Sequence, residues 1–257
     1  MTDMHMRIIC AVMGMFLLTA CSVKEVRDSC PCLLVLEFSE SRRTFSSEAD
    51  LLISSAEGTI WSDAVDLSAQ TGYSVYVPKV MLHLRIWADD DGLASEAGME
   101  IPLGQDCPEV YMYDADVMPV GETVTDTVRL RKNHCVMQIK TEGEGGFPFD
   151  MKVIGNVSGY DMSGEPVEGD FECVPDFVGD CFSVVLPRQT DDSLMLQVQG
   201  DGVTTRSFAL GQYLSAGGYD WSAPDLEDVA VTVDYALTEV RVEVNGWESV
   251  YAYDVIM

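Results

Sequence analysis

The chain has few basic residues. Only 15 of its 257 residues are Lys or Arg, whereas 43 are Asp or Glu, so the net charge is −28. A surface this acidic repels phosphate backbones, which excludes nucleic acid as a partner. It also excludes peripheral docking on anionic lipid through a basic face. Hydrophobic residues make up 47% of the sequence, so disorder is excluded as well and a folded body is expected.

Residues that commonly carry catalysis are also scarce. The sequence has three histidines, and the GxSxG, HExxH and P-loop patterns do not occur in it. Carboxylates are so abundant that no pair stands out as a general acid and base. We therefore predict a protein that is not an enzyme and has no cofactor, no metal and no small-molecule substrate.

One acidic loop leaves an alternative open. Asp89, Asp90 and Asp91 precede Gly92 and offer the oxygen ligands that calcium prefers. The loop lacks the EF-hand spacing and its bidentate glutamate, and Asp-Gly sequences are typical of hairpin turns. We favour a plain turn, and calcium binding near 89–91 stays the alternative.

The first twenty residues have the pattern of an export signal. Arg7 precedes an uncharged apolar run over 8–18, which is too short to span a bilayer. The run ends in Leu18-Thr19-Ala20-Cys21, which resembles the bacterial lipobox. This pattern predicts removal of residues 1–20, lipidation of Cys21 and a tether over 21–31. The membrane would then be contacted only through the N-terminal lipid.

Alternating apolar and polar residues recur along the rest of the chain and predict strands. Turn residues separate these segments, and no stretch of twelve residues has a helical apolar stripe. The predicted strands lie at 32–38, 73–78, 81–87, 123–130, 135–140, 150–154, 181–186, 193–198, 204–210, 229–235 and 239–244. The length favours two tandem β-sandwiches, at 32–131 and 132–257, with a boundary near Arg131-Lys132-Asn133.

Six cysteines remain besides Cys10 in the signal and the lipidated Cys21. An even number in an oxidising compartment favours disulfides, and the sequence alone does not choose among the pairings. The pair Cys173 and Cys181 is close enough in sequence to bridge a hairpin. The six candidates are Cys30, Cys32, Cys107, Cys135, Cys173 and Cys181.

The Cys30-Pro31-Cys32 segment suggests a second arrangement. Cys30 and Cys32 should point to the same side of an extended segment, so each is expected to reach a different partner. Cys107 and Cys135 are the candidates. Zinc is disfavoured because the segment is not a CxxC pair and His134 is a lone imidazole.

Several local patterns, in their order along the chain, resemble one family. Cys21 is followed by a charged spacer, by Cys30-Pro31-Cys32 and by an apolar strand that ends in Glu37-Phe38-Ser39. Further matches are GQDCPEVYMY at 104–113, LRKNHC at 130–135, LGQYL at 210–214, GYDW at 218–221, DLED at 225–228 and VNGW at 244–247. Together they resemble the FimB-like fimbrial anchor lipoproteins of the Bacteroidota, from Cys21 to the end of the chain.

The resemblance implies a fold, a location and a partner. It implies two transthyretin-like β-sandwich domains in an all-β protein of the outer membrane, held there by lipid. Lys24-Glu25 is similar to part of the lipoprotein export signal of these bacteria, which implies surface exposure. Such anchors hold the base of a fimbria or limit its length, and join fimbrilin subunits by β-strand complementation, in which main-chain hydrogen bonds supply affinity. Stalk subunits are cut after an arginine, but a cut at Arg42-Arg43 would remove the lipid, so none is expected.

The C-terminal tail alternates as a strand does. Tyr251, Tyr253, Val255 and Met257 share one face of it and could form an exchanged strand. We favour the simpler interpretation, in which the tail is the last strand of its own domain.

A surface lipoprotein that binds glycan or host protein, without a fimbria, is the alternative function. It would need exposed aromatic residues on which a sugar could stack, although tryptophan in β-sandwiches is more often in the core. The candidates are Trp61, Trp87, Trp221 and Trp247.

Overall fold

The computed structural model describes most of the chain after the tether. The described residues are 30–38, 48–89, 98–142, 149–200, 203–234, 239–244 and 247–252. Outside them lie the signal segment with Cys21, Arg42-Arg43, most of the acidic loop at 89–92, and the tail residues Tyr253, Val255 and Met257.

Residues 32–132 supply a first sandwich of two sheets. Its strands are β1 (Cys32–Glu37), β2 (Glu48–Ser55), β3 (Gly58–Asp66), β4 (Gly72–Val77), β5 (Leu82–Ala88), β7 (Tyr111–Val117), β8 (Thr123–Thr127) and β9 (Arg131–Lys132). One sheet has the order β4-β1-β8 and the other has the order β3-β2-β5-β7-β9. Alternate residues of both sheets form a common core, in which Leu34, Leu51 and Leu84 are buried.

A second sandwich follows from residue 134. Its elements are β10 (His134–Glu142), β11 (Asp150–Tyr160), β12 (Pro166–Cys173), β13 (Asp176–Val178), β14 (Cys181–Pro187), β15 (Met195–Gly200), β16 (Val203–Phe208), the helix α1 (Leu210–Ala216), β17 (Val229–Asp234), β18 (Glu239–Val244) and β19 (Trp247–Ala252). One sheet has the order β13-β14-β10-β17-β18-β19, and the other has the order β12-β11-β15-β16.

The two sandwiches repeat one topology. In each, the first strand lies between an antiparallel and a parallel neighbour: β1 between β4 and β8, and β10 between β14 and β17. The opposite sheets also correspond, since β3-β2-β5-β7 has the same order as β12-β11-β15-β16. Against this shared seven-strand unit, β18 and β19 are an extension of the second sandwich.

A short segment of the chain crosses from the first sandwich to the second. The strand β6 (Met99–Glu100) comes between β5 and β7 in sequence but pairs with β11. Ile101, Cys107 and Val110 then lie in the core of the second sandwich. The backbones approach closely here: a Cβ on Gly159 would lie 2.0 Å from the Met99 carbonyl oxygen. The second core therefore contains residues that precede the predicted boundary at 131–133.

The all-β sandwich prediction is confirmed, and most predicted strands are present. Those at 32–38, 73–78 and 81–87 correspond to β1, β4 and β5, and the later ones correspond to β10, β14 and β17. Sequence patterns missed β2, β3, β7 and β12. The predicted strand at 204–210 is wrong at its end, because Leu210 is the first residue of α1.

Candidate functional site

The first strand of the described chain occupies the middle of its sheet. β1 makes six residue pairs with β4 and five with β8, so its backbone is hydrogen-bonded on both sides. Leu34, Leu36 and Phe38 have no exposed surface, and they face the core at every second position. We call this position between β4 and β8 the β1 seat. It can hold one extended segment through main-chain bonds and three large apolar side chains.

In the part of the chain that the structure describes, no strand pairs with the outer side of β8, whereas the equivalent edge of the second sandwich is covered by β18. Among the described residues, β8 pairs only with β1, and the corresponding β17 pairs with both β10 and β18. β18 is antiparallel to β17, and β19 is antiparallel to β18. The C-terminal extension thus adds strands to a sheet by the same main-chain bonding that strand complementation uses.

The described part of the C-terminal tail folds back on its own domain. Tyr251 in β19 stacks on Tyr213 of α1, with ring centroids 4.3 Å apart, and its hydroxyl donates to the Tyr213 carbonyl oxygen at 2.9 Å. Of the four predicted tail residues, Tyr251 is half-buried on this face. The other three, Tyr253, Val255 and Met257, lie outside the described residues.

Two carboxylates connect the sandwiches. Asp225 accepts a hydrogen bond from the Lys132 backbone N–H at 3.0 Å and one from the Arg129 guanidinium at 3.1 Å. Asp228 contacts the Lys132 ammonium and accepts from the Val136 N–H at 2.8 Å. These contacts tie the strand that ends the first sandwich to the loop before β17.

A polar cluster lies beside this connection. The Tyr160 hydroxyl, which is buried, donates to the Asn133 carbonyl oxygen and accepts from the Arg188 N–H at 2.7 Å. Arg188 also donates to the Asn133 side chain and to the Ala223 carbonyl oxygen at 2.8 Å. Burial lowers the pKa of Arg188 and raises that of Tyr160, yet each keeps its usual charge at neutral pH.

A cavity of about 370 Å³ opens at this cluster, between the two sandwiches. Its lining carries charges of both signs beside apolar groups such as Met112 and Pro224. The charged residues are Asp114, Arg131, Glu165 and Arg188. The charged groups could orient a polar ligand in this cavity.

The six cysteines differ from the expected arrangement. Each is a free thiol, so no disulfide joins them in the described chain. Cys32 lies in the first core, whereas its expected partners Cys107 and Cys135 lie in the second. Cys30 precedes β1 and is exposed, whereas Cys32, the first residue of β1, is buried.

The other expected pair is also separate. Cys173 ends β12 in one sheet and Cys181 begins β14 in the opposite sheet, so they do not bridge a hairpin. The Cys173 thiol donates to Asp106 at 2.5 Å and the Cys181 thiol to the Val178 carbonyl oxygen at 3.7 Å. Burial raises the pKa of the Cys173 thiol, which makes it unreactive at neutral pH.

The two described histidines lie apart and have different surroundings. His83 is half-buried on β5 and contacts Asp116. His134 is fully buried against the Tyr111 ring, its Nδ1–H donates to the Val110 carbonyl oxygen at 3.0 Å, and burial lowers its pKa to about 4. Within the described ranges no three metal-ligating side chains gather, and no helix there is long and apolar enough to cross a membrane.

The tryptophans form no common platform in the described chain. Trp87 and Trp221 are buried in the second core. Trp61 is 41% exposed, and its indole N–H donates to the Tyr73 hydroxyl at 2.6 Å. The fourth, Trp247, begins β19.

Comparison with known proteins supports the fold. The chain matches no protein-family model and no curated protein sequence. It does share its fold with solved structures, three of which have TM-scores of 0.66, 0.63 and 0.59 and sequence identities of 13%, 12% and 13%. In that order, these are a Bacteroides thetaiotaomicron DUF1812 protein proposed to bind polysaccharide, a proposed adhesin from Bacteroides ovatus, and the fimbrial anchor protein Mfa2 from Porphyromonas gingivalis.

The shared fold extends over nearly the whole of each protein. The similarity covers 87%, 89% and 87% of this chain and 99%, 97% and 100% of the other three. Both sandwiches are therefore matched, together with the way they follow one another. At these identities the likeness shows the fold alone, and it confirms at that level the resemblance to fimbrial anchors.

Proposed function

We propose that this chain is an outer-membrane lipoprotein that anchors a fimbria to the cell, with the lipid on Cys21. The fold shared with the Mfa2 anchor supports this proposal. The observation that carries it is the position of β1. Its first residue, Cys32, comes eleven positions after the lipidation candidate, and its backbone is bonded on both sides.

This position suits a strand that bears load. A pull on the fimbria reaches the lipid through β1, because the chain continues from β1 to Cys21. The force would act along the strand, so the ladders to β4 and β8 would be sheared together instead of opening one bond at a time. Burial of Leu34, Leu36 and Phe38 adds resistance to withdrawal.

In strand complementation, this chain would act as the donor. The β1 seat already contains the chain's own strand, so a fimbrilin strand could enter it only by displacing β1. The C-terminal extension, by contrast, lies outside the repeated unit. We propose that the tail leaves its own sheet and inserts Tyr251, Tyr253, Val255 and Met257 into a fimbrilin groove. An anchor of this kind would end the polymer, because its own β1 already occupies the position between β4 and β8 that a further subunit's strand would need.

The lipid is tested by replacing its attachment site. Wild type and Cys21→Ala are compared in the native host, and fimbriae are counted on cells and in the medium. Because the variant cannot carry the lipid, fimbriae should still form and be released or grow longer. Fimbriae that stay attached at wild-type length with the variant would contradict the anchor function.

The donor role is tested on the tail with adjacent residues. Val255→Asp places a charge on the face shared with Tyr251, and Ile256→Asp places the same charge on the opposite face. The first should reduce co-isolation of fimbrilin with the lipidated chain, and the second should leave it near the wild-type level. Equal co-isolation with both variants would contradict insertion of the tail.

The cavity between the sandwiches supports a second candidate function, that of a surface protein that binds saccharide. Charged and polar groups line its 370 Å³, and a structure with the same fold is proposed to bind polysaccharide. Glu165→Ala should then reduce binding on a glycan array relative to wild type, whereas Glu57→Ala, at an exposed turn of the first sandwich, should not. Absence of binding by the wild type would remove this candidate.

A further inference from the structure

One end of the first sandwich carries exposed apolar side chains. Val80 and Met81 lie in the β4–β5 loop and are 42% and 50% exposed. Met118 and Val120 lie in the β7–β8 loop and are 49% and 71% exposed. We call these four residues the apolar end.

Strand pairing places the two loops at the same end of the sandwich. Leu82, the first residue of β5, pairs with Val117, the last residue of β7. Because the two strands are antiparallel, Met81 and Met118 are the next residues beyond this pair, at the same end of both strands. Solvent-exposed apolar residues grouped in this way mark interaction sites in soluble proteins.

The chain reaches the β1 seat from this same end. Cys32 pairs with Val77, immediately before the first loop, and the Leu33 N–H donates to the Glu122 carbonyl oxygen at 2.9 Å, in the second loop. The segment leading back to Cys21 therefore leaves the fold beside the apolar end. Cys30 lies nine positions after Cys21, and this stretch of chain spans roughly 30 Å when it is fully extended.

We infer that the apolar end rests on the lipid surface of the outer membrane, so that the first sandwich stands on the bilayer with the second sandwich directed away. This inference rests on the lipidation of Cys21 proposed above. The tether keeps this end near the bilayer, and apolar side chains gain by leaving water there. The net charge of −28 repels the rest of the molecule from anionic lipid, which favours contact through the end that is apolar.

The test uses a photoactivatable residue in the full chain expressed in its native host. Val120→benzoylphenylalanine places the probe on the apolar end. Gln70→benzoylphenylalanine places it on the exposed β3–β4 loop, at the opposite end of the same sandwich. After irradiation, the purified chains are analysed by mass spectrometry for the acylation of Cys21 and for adducts at the probe.

The expected result is a mass increase of one membrane lipid at the Val120 probe and none at the Gln70 probe. Loss of that adduct when Cys21→Ala is added would show that the tether holds the end in place. An acylated chain with a protein adduct at Val120, or with no adduct there, would overturn the inference and leave the anchor function standing. A wild-type chain without acylation at Cys21 would overturn both.

Discussion

Truncation of two adjacent leucines in β1 should destabilise the first sandwich to very different extents. Leu34 has no exposed surface and lies in the first core, whereas Leu33 points to the other face of β1 and is only partly buried. Leu34→Ala and Leu33→Ala therefore remove the same atoms from opposite sides of one strand.

The loss of stability should be severalfold larger for Leu34→Ala than for Leu33→Ala. Truncation of a fully buried leucine to alanine destabilises proteins by about 3–5 kcal/mol, because apolar burial is lost and a cavity remains. For Leu33 the loss is limited to part of the transfer free energy, or about 1 kcal/mol. At 1.4 kcal/mol for each factor of ten, Leu34→Ala should raise the opening equilibrium of the seat by roughly 100-fold or more, and Leu33→Ala by less than about 10-fold.

Hydrogen exchange measures this opening locally, which is necessary because two sandwiches need not unfold together. Exchange rates are compared for peptides that cover β4 and β8, with a peptide from β11 as an internal reference. Acceleration confined to the first sandwich is expected. Equal acceleration by the two variants would refute the assignment of Leu34 to the core face, and with it the proposed transmission of force through β1.

Three further predictions concern buried groups. Tyr160→Phe leaves two buried backbone groups without their partner and should lower the free energy of unfolding by about 1–3 kcal/mol in urea, more than Tyr113→Phe at a half-buried site. Burial lowers the pKa of His134 to about 4, so as the pH falls the unfolded state binds a proton before the folded state does. The free energy of unfolding is therefore highest above about pH 6.5, and it declines towards pH 4 by up to about 1.4 kcal/mol per pH unit. His134→Gln should lose this decline, and an unchanged urea midpoint profile would argue against a neutral buried imidazole. Iodoacetamide should label Cys30 alone in the native mature protein and five further cysteines after denaturation without reductant; protection that only a reductant removes would restore the disulfide prediction.

Sequence patterns located strands where one face is buried completely. In β1 and β17, buried residues alternate with half-buried or exposed ones, and both strands were predicted. β3 is an edge strand in which nearly every side chain is exposed, so selection for apolar alternation is absent and the strand was missed. β7 carries acidic residues on its outer face, and because such residues are uncommon in strands, its sequence did not indicate one.

The site was only partly predictable because it depends on long-range placement. The tail could be assigned to strand from its alternation, but its stacking partner Tyr213 lies in a short helix that periodicity does not detect. The positions of the cysteines depend on long-range placement in the same way. Sequence separation brings Cys173 and Cys181 close along the chain, whereas the topology assigns them to opposite sheets.

The crossing of β6 to β11 sets an order of events as the chain folds. Residues 99–110 are synthesised before β7, β8 and β9, so the first sandwich can close while this segment still lacks its partner strand. Its apolar side chains, including Ile101 and Val110, stay without a core until β11 has followed about fifty residues later. When the second sandwich folds, this segment pairs with β11, and the two backbones approach closely at Gly98 and Gly159. A chain interrupted before β11 would thus expose these apolar side chains, which makes such a fragment prone to aggregation.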